Sequence, residues 1–237
     1  MTTPLRLGIA GLGTVGIGVV RILRSQAALL QARTGRPLEL VAVSARSRDK
    51  DRGVNLSGYA WEDDPTALAT RDDIDVYVEL MGGTDGPAKA STEAAIATGK
   101  HVVTANKAML AIHGQTLATD AEMAGVALRY EAAVAGGIPV IKALTEGLAG
   151  NQITRIVGVM NGSCNYILTR MESSGLSYDE IFAEADGLGY LEADPQLDVG
   201  GIDAAHKLAI LSSIAFGTQV NFDAIELEGI ERVSIDD

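Results

Sequence analysis

The chain has the glycine spacing of a phosphate-binding turn close to its start. Gly11, Gly13 and Gly16 form a G-x-G-x-x-G pattern between a strand-like run and an amphipathic run. That context gives the pattern its meaning, because the glycines permit a tight turn, close approach of a pyrophosphate, and close packing of the helix. The first helical N–H groups, including those of Thr14 and Val15, would donate to the phosphate. The pattern predicts a dinucleotide-binding turn, with a ligand-free glycine-rich turn as the alternative.

The residues after the second predicted strand bear on the choice of cofactor. Proteins that prefer NAD usually have an acidic residue there to bond the ribose diol, whereas an arginine can accept the 2′-phosphate of NADP. Here Leu38–Ser44 is followed by Arg46 and Arg48. Arg46 therefore predicts a preference for NADP over NAD. Use of both cofactors stays open, as does the alternative that these arginines are ordinary surface charges.

Two charged residues in the last long predicted helix have a spacing that suits proton transfer. Asp203 and Lys207 are four residues apart, so they lie side by side on one helix face. On a solvent-exposed face such a pair contributes only roughly 0.3–0.5 kcal/mol, yet the helix Ile202–Phe216 is largely apolar. Burial disfavours an ammonium and a carboxylate favours it, so the pair suits a general acid and base. A purely structural pair is the alternative.

The composition excludes several classes of partner. The chain has 31 acidic against 19 basic residues and a formal charge of -12, which disfavours nucleic acid and requires local donors for an anionic cofactor. Its 47% hydrophobic residues can fill a core, and its single cysteine, Cys164, excludes an internal disulfide. The start of the chain lacks a charged leader, and the apolar stretch 7–20 is too short and glycine-rich to span a membrane. These features predict a cytoplasmic protein.

Short β-type runs alternate with longer helical patterns up to about Tyr130, as in a parallel sheet with crossover helices. The predicted strands are 6–10, Leu38–Ser44, Val76–Glu79, His101–Thr104 and 127–130. The predicted helices are 15–33, 87–98 and 108–124, with C-terminal caps at Gly35, Gly99 and Gly125. The predicted fold class is therefore α/β, with a Rossmann-type dinucleotide-binding domain.

The pattern changes after Glu131, where we place a boundary between a dinucleotide-binding domain, 1–131, and a substrate-binding domain, 132–237. The second domain is predicted to be α+β. Its predicted elements are helices at 132–150, 165–174, 177–186 and Ile202–Phe216 and a strand at 153–160. The loop 187–200 is rich in Gly, Asp and Pro, and long loops inside compact domains tend to carry function.

Four segments, in this order, resemble the homoserine dehydrogenase family. They are 79–84 (ELMGGT), 104–107 (TANK), 161–168 (NGSCNYIL) and 189–195 (GYLEADP), with Asp198, Asp203 and Lys207 beyond them. The resemblance implies a Rossmann-type domain joined to a substrate domain that supports a homodimer. It also implies an NAD(P)-dependent oxidoreductase that interconverts L-homoserine and L-aspartate 4-semialdehyde in threonine, methionine and isoleucine biosynthesis.

The resemblance further implies roles for individual residues. Lys207 would be the general acid and base. Lys107 would lie near the nicotinamide and the substrate, which agrees with its position after a predicted strand, where open α/β folds bind their ligands. Thr84 would be one of the cofactor-binding residues. The substrate-binding residues would be Glu192, Asp198 and Asp203.

A monovalent-cation site is also implied by the resemblance, in the segment 131–139 (EAAVAGGIP). Oxygen-only ligands suit a hard cation such as sodium. The ligands would be chiefly main-chain oxygens of Glu131, Val134, Gly136 and Ile138. A tight turn without an ion is the alternative.

Other functions fit the same pattern less well. Cys164 is rejected as a nucleophile, because a reactive thiol needs a base and no histidine is convincingly placed to serve it. The alternatives are another two-domain NAD(P) oxidoreductase acting on a small polar substrate, a silent cofactor-binding module, and a subunit that works through assembly. The pair Asp203 and Lys207 argues against all three. The chain stops at Asp237, where family members continue, so the resemblance predicts a truncated second domain.

Overall fold

The structure is a computed structural model that describes residues 2–191 and 194–237. The chain divides into two compact units, Met1–Ala143 and Leu144–Asp237. The domain boundary expected near residue 132 falls inside the first unit and stays a prediction.

The first unit contains a six-stranded sheet in the order β3-β2-β1-β4-β5-β6, with every neighbouring pair parallel. Its strands are β1 (Leu5–Ala10), β2 (Leu38–Ser44), β3 (Ala60–Glu62), β4 (Val76–Glu79), β5 (His101–Thr104) and β6 (Leu128–Arg129). The strand order reverses between β1 and β4, and such a switch point is where these sheets bind dinucleotides. The predicted α/β fold class is confirmed, and β3 is an addition to it.

The register of the sheet brings the last residues of several strands to one edge. Ala10 pairs with Ser44 on one side and with Glu79 on the other, and Glu79 pairs with Thr104. Because the carboxyl ends of parallel strands meet at one edge, the loops that follow β1, β4 and β5 lie together there.

Helices cover both faces of this sheet. The helices of this unit are α1 (Thr14–Ser25), α2 (Ala27–Thr34), α3 (Pro65–Ala69), α4 (Pro87–Ala97), α5 (Lys107–Ala124), α6 (Glu131–Val134) and α7 (Val140–Lys142), and the covering residues come from α1, α3, α4 and α5. Side chains alternate between the faces along a strand. Accordingly, Tyr77 packs in one buried apolar cluster, whereas Val76 and Val78 pack in the other. The central strands of the sheet are therefore largely buried between the two clusters, which fixes the positions of the loops that follow them.

Two helical predictions in this unit differ from the structure. The single helix expected at 15–33 is α1 followed by α2, and the break falls at Gln26. The first of these helices buries Ile17 and Val20, whereas α2 buries no residue, so only α1 contributes buried side chains to the core. Helix α3 was not predicted, although Asp64 caps the amide of Thr66 and a proline begins the helix, which is a common helix-start signal.

The helix predicted at 132–150 is wrong. The segment forms α6, then α7, then a single π-helical turn at Ala143–Gly147. Gly137 has a φ of 83° and Pro139 precedes α7, so the backbone cannot continue one helix through this region.

The second unit is built from helices. They are α8 (Gly162–Ser174), α9 (Tyr178–Gly187), α10 (Gln196–Val199) and α11 (Ile202–Phe216), followed by a 3₁₀ turn at Phe222–Ala224. Its buried apolar cluster contains Ile167, Met171, Ile181, Ala185 and Val199. In the described part of the chain, no helix is long and apolar enough to cross a membrane.

The strand predicted at 153–160 is wrong. Within residues 2–191 and 194–237 this segment pairs with no other strand, and it has no regular secondary structure. Val157 and Val159 are 76% and 80% exposed. Alternating apolar residues become a strand only when a neighbouring strand supplies the hydrogen-bond ladder, and no described segment supplies it here.

Candidate cofactor and proton-transfer sites

The glycine-rich turn connects β1 to α1 at the carboxyl edge of the sheet. Gly11 has a φ of 95°, and a Cβ there would overlap the carbonyl of Leu80 and lie 2.8 Å from the amide nitrogen of Met81. A Cβ on Gly16 would overlap the carbonyl oxygen of Gly11. These two glycines are therefore required by the packing of the turn itself.

Gly13 differs from those two glycines. It has a φ of -78°, which any residue adopts, and no described atom lies within 4 Å of the position a Cβ would take. The apo fold thus gives no packing reason for a glycine here. The open space above Gly13 is where a pyrophosphate would approach the backbone.

The first turn of α1 is well suited to bind an anion. Its N-cap is Gly13, so no N-cap side chain covers the amides of Thr14, Val15 and Gly16, and the side chain of Val15 is 58% exposed. Free amide groups and the positive end of the helix dipole both favour a phosphate at this position. The geometry of the turn therefore fits the phosphate groups of a dinucleotide.

An arginine that sequence reasoning missed organises the loop after β2. The guanidinium of Arg52 donates to the carbonyl oxygens of Leu12 at 3.2 Å, Ser47 at 2.6 Å and Lys50 at 2.8 Å. Its carbon Cζ lies 5.6 Å from the ring centroid of Trp61. Arg52 thereby ties the glycine-rich turn to the loop that carries the exposed Arg46. The cluster of arginines in this loop was the available signal.

Glu79 is a fully buried carboxylate at the end of β4. Its Oε1 accepts the amide N–H groups of Met81 at 2.7 Å and Gly82 at 3.2 Å, and its Oε2 accepts the hydroxyl of Thr104 at 2.5 Å. Glu79 begins the segment 79–84 that resembles the family, but the sequence pattern predicted no role for it.

Thr104 also forms a hydrogen bond with Asn106. The threonine Oγ1 accepts the amide N–H of Asn106 at 2.9 Å, and the side-chain amide of Asn106 donates to the carbonyl of Gly83 at 2.7 Å. Asn106 also caps α5 by accepting the N–H of Met109 at 3.1 Å. We call Glu79, Thr104, Asn106 and these hydrogen bonds the Glu79 network.

The Glu79 network lies beside two of the predicted site residues. Thr84 follows Gly83 in the loop after β4, and Lys107 is the first residue of α5, immediately after Asn106. Both are half-buried. The structure therefore brings both residues to the same sheet edge as the glycine-rich turn.

A second set of polar side chains is buried in the second unit. The side-chain amide of Asn161 donates to Asp198 at 2.8 Å and to Asp203 at 2.9 Å. The ammonium of Lys207 donates to Asp203 at 2.7 Å and to the carbonyl oxygen of Met160 at 2.6 Å. We call Asn161, Asp198, Asp203 and Lys207 the Lys207 cluster.

Burial strengthens the interactions within the Lys207 cluster. Asp198 and Asp203 are 3% and 5% exposed, and the side chain of Lys207 is 19% exposed. A buried carboxylate requires donors, and Asn161 and Lys207 supply them. An ammonium has three N–H donors, and Asp203 and Met160 take two of those of Lys207. The cluster thus holds a group able to exchange a proton in a fixed position.

Asn161 begins the segment 161–168 and had no predicted role, but in the structure it is the centre of the cluster. Its side-chain oxygen accepts the amide N–H of Cys164 at 2.8 Å as the N-cap of α8. That hydrogen bond orients the amide group so that its nitrogen faces Asp198 and Asp203. An asparagine before a helical pattern is a known cap signal, which could have located it.

The thiol of Cys164 is unsuited to nucleophilic chemistry. Burial, followed by the nearby carboxylates of Asp198, Asp203 and Glu231, raises its pKa to about 11. Its sulfur donates to the carbonyl oxygen of Asp198 at 3.2 Å. The thiol is therefore protonated at neutral pH, which supports its rejection as a nucleophile.

The remaining predicted site residues are Glu192 and the sodium ligands in the segment 131–139. Glu192 lies outside the described residues. The carboxylate of Glu131 accepts the amide N–H groups of Ile141 at 2.8 Å and Lys142 at 2.9 Å, so it caps α7. The carbonyl oxygen of Ile138 accepts the N–H of Val140 at 2.8 Å. Among the described residues, no group of three or more His, Cys, Asp and Glu side chains could hold a metal ion.

The sheet order, the glycine-rich turn and the uncapped helix define the first unit as a Rossmann-type dinucleotide-binding domain. The family model for the homoserine dehydrogenase NAD-binding domain matches residues 11–131, and that for homoserine dehydrogenase matches residues 139–237. The chain belongs to the homoserine dehydrogenase family.

Individual relatives agree with this assignment. The homoserine dehydrogenase of Neisseria gonorrhoeae is 47% identical over 230 residues, which are 97% of this chain and 52% of that protein. A homoserine dehydrogenase from Thiobacillus denitrificans matches with a TM-score of 0.94 and 44% identity, over 99% of this chain and 54% of the other. The chain spans about half the length of the curated relatives it matches.

A more distant solved structure carries a cofactor. It is a hyperthermophilic archaeal homoserine dehydrogenase mutant in complex with NADPH, 28% identical to this chain with a TM-score of 0.84. The match covers 98% of this chain and 76% of the other.

Proposed function

We propose that this chain carries the cofactor-binding and proton-transfer parts of a homoserine dehydrogenase. The proposed reaction oxidises L-homoserine to L-aspartate 4-semialdehyde with NAD(P)⁺, releases a proton, and is reversible. The observation that carries the proposal is the Lys207 cluster, a buried lysine held by Asp203 in a chain that also has a dinucleotide-binding turn. An ion pair on the protein surface is usually exposed and contributes little. This pair is largely buried, and the side-chain amide of Asn161 also donates to Asp203.

Each part of the chain has a distinct task in this reaction. A bound nicotinamide would accept the hydride from the carbinol carbon of homoserine or return it. Lys207, in its neutral form, would take the hydroxyl proton during oxidation and, in its charged form, return it during reduction. Asp203 would hold the lysine and, with Asp198 and Glu192, bind the ammonium and hydroxyl groups of the substrate. Lys107 would bind the cofactor or the substrate at the sheet edge.

We also propose that the chain prefers NADP to NAD. The archaeal relative in complex with NADPH supports it, as does the exposed Arg46 after β2. Arg46→Ala should weaken NADPH binding about tenfold and leave NADH binding almost unchanged, because a charge-assisted hydrogen bond to the 2′-phosphate is lost. Titration of each reduced cofactor by fluorescence checks this, with Arg33→Ala on α2 as the control. Equal losses for the two cofactors would contradict it.

We also propose a sodium site, which the family resemblance supports. Its ligands would be chiefly main-chain oxygens of Glu131, Val134, Gly136 and Ile138, because the side-chain carboxylate of Glu131 accepts two amide groups of α7. Sodium chloride should then raise the thermal midpoint more than lithium chloride at equal ionic strength. Equal midpoints in the two salts would remove the site from the proposal.

A homodimer in the cytoplasm completes the proposal. The family resemblance supports it, as does the composition. Analytical ultracentrifugation would measure the dimer mass directly. A monomer at all concentrations would contradict this part and leave the assignment of the reaction intact.

The reaction itself is tested by measuring reduction of NADP⁺ and NAD⁺ with L-homoserine, simple alcohols and sugars. Among these substrates, we expect only L-homoserine to produce the absorbance of reduced nicotinamide. Equal rates with other alcohols would favour a different two-domain oxidoreductase. Cofactor binding without turnover of any substrate would favour a silent binding module.

A further inference from the structure

The loops after β4 and β5 are joined by a closed circuit of buried hydrogen bonds. From Glu79 the circuit runs through Thr104 to Asn106, and from Asn106 it returns to the first loop at Gly83. Glu79 closes it by holding the amides of Met81 and Gly82. Glu79, Thr104 and Asn106 are 0%, 1% and 5% exposed, so water does not compete for these bonds.

The first of these loops needs such an external support. Gly82, Gly83 and Gly86 all have positive φ angles between 75° and 95°. Glycines have access to many backbone conformations, so a loop that contains them gains little rigidity from its own sequence. The position of Thr84 therefore depends on hydrogen bonds made to the loop from outside.

The position of the circuit in the sheet suggests which part of a dinucleotide it affects. A doubly wound sheet binds one mononucleotide on each side of its switch point, which here lies between β1 and β4. The glycine-rich turn and the loop with Arg46 belong to the β1–β3 side. That side would bind the adenosine half of the dinucleotide. The Glu79 network lies entirely on the β4–β6 side, where the nicotinamide half would bind.

We infer that the Glu79 network positions the nicotinamide-binding half of the cofactor site, acting through Thr84 and Lys107 rather than by contact. Glu79, Thr104 and Asn106 are thus positioning residues. This inference rests on the proposed function, because it requires a nicotinamide dinucleotide as the ligand. It goes beyond it by assigning a task to a buried acid that makes no ion pair among the described residues.

Thr104→Val tests the inference with little change of shape. The substitution removes the hydroxyl that links Glu79 to Asn106 and keeps the volume of the side chain. The dissociation constants of NADPH and of 2′,5′-ADP, which lacks the nicotinamide half, are measured for the 237-residue chain by calorimetry. We expect the constant for NADPH to rise about tenfold and that for 2′,5′-ADP to stay within about twofold.

Two further variants separate positioning from stability. Thr104→Ser retains the hydroxyl and should restore NADPH binding. Tyr77→Phe removes another buried hydrogen bond from β4, the one that the Tyr77 hydroxyl donates to Ser91 at 2.7 Å, outside the network. It should lower the thermal midpoint without changing the ratio of the two dissociation constants.

The outcomes distinguish this inference from the proposed function. Equal weakening of both ligands in Thr104→Val, or no weakening of either, overturns the inference while the wild-type binding of NADPH upholds the cofactor proposal. Failure of the wild-type chain to bind NADPH, NADH or 2′,5′-ADP overturns both.

Discussion

The two units build their candidate sites from different atoms. In the first unit, the groups that would face a ligand are mainly backbone amides of the glycine-rich turn and of the first turn of α1. Side chains such as Glu79 and Arg52 act behind that surface by holding loops in place. In the second unit, the chemistry lies in the side chains of the Lys207 cluster themselves.

This difference determines how each site can be damaged. A backbone site is destroyed by adding atoms, since a Cβ occupies the space meant for the ligand. A site made of side chains is destroyed by removing atoms, since each deletion leaves a buried partner without its hydrogen bond. Binding and proton transfer should therefore be separable by mutation.

The largest effect is expected from Lys207→Ala. In an active form of the protein it should lower kcat by roughly 10²- to 10⁴-fold, because the group that exchanges the proton is lost, while the dissociation constant for NADPH stays unchanged. Lys89→Ala is the matched control, since Lys89 also forms an i,i+4 ion pair, with Glu93 at 2.6 Å on α4. Steady-state kinetics check both variants. If Lys207→Ala retained more than about a tenth of the wild-type kcat, Lys107 would replace it as the candidate.

Gly13→Val and Gly16→Val should separate ligand space from packing space. Gly13→Val should weaken NADPH binding by up to about 100-fold with almost no change in apo stability, because no described atom lies within 4 Å of its Cβ position. Gly16→Val should instead lower the free energy of unfolding by about 2 kcal/mol or more, since its side chain overlaps the turn. Calorimetric binding and thermal unfolding measure the two effects. Similar loss of stability in both variants would contradict the distinction.

Asn161→Ser should affect catalysis more than folding. Serine keeps an acceptor for the N–H of Cys164 but cannot donate to both Asp198 and Asp203. We expect kcat to fall about tenfold, the effect of one lost orienting hydrogen bond, with a small change in thermal midpoint. The control is Asn221→Ser. Asn221 is an exposed N-cap whose side chain accepts the N–H of Ala224, and its replacement should change neither kcat nor the thermal midpoint. A large loss of stability without a kinetic effect would reduce Asn161 to a structural cap.

The smallest effect is expected at the other edge of the sheet, where Arg6 and Asp75 form an ion pair at 2.7 Å. The hydrogen bond from Arg6 lowers the pKa of Asp75 from 3.8 to about 2. Because the folded-state pKa is depressed, this pair stabilises the fold above about pH 4, and that contribution disappears as the pH falls toward 2. Asp75→Asn should lower the free energy of unfolding by on the order of 1 kcal/mol at neutral pH, a small effect because the pair is partly exposed. The loss should be smaller near pH 3, which lies between the two pKa values, because part of the contribution of the pair has already disappeared there.

Denaturant unfolding at the two pH values measures the effect of Asp75→Asn, with the exposed Glu122→Gln as its control. Binding of NADPH should not change in either variant. A weakened cofactor affinity in Asp75→Asn would break the functional distinction between the two edges of the sheet.

The sequence by itself determined the features that depend on neighbours in the chain. The spacing of Gly11, Gly13 and Gly16 predicted the turn after β1, and the alternation of strands and helices predicted the parallel sheet. The four-residue spacing of Asp203 and Lys207 placed their side chains together as soon as the helix was assigned. Local geometry fixes such contacts, so a pattern of residue types is sufficient.

Only the tertiary structure decided the contacts between distant residues. Glu79 meets Thr104 across 25 positions, and Asn161 meets Asp198 and Asp203 across 37 and 42. The segment 153–160 shows the same limit from the other side, since its alternating pattern formed no strand without a described partner. A hydrogen bond between segments depends on register, packing and burial, and a single segment contains information about its own preferences alone.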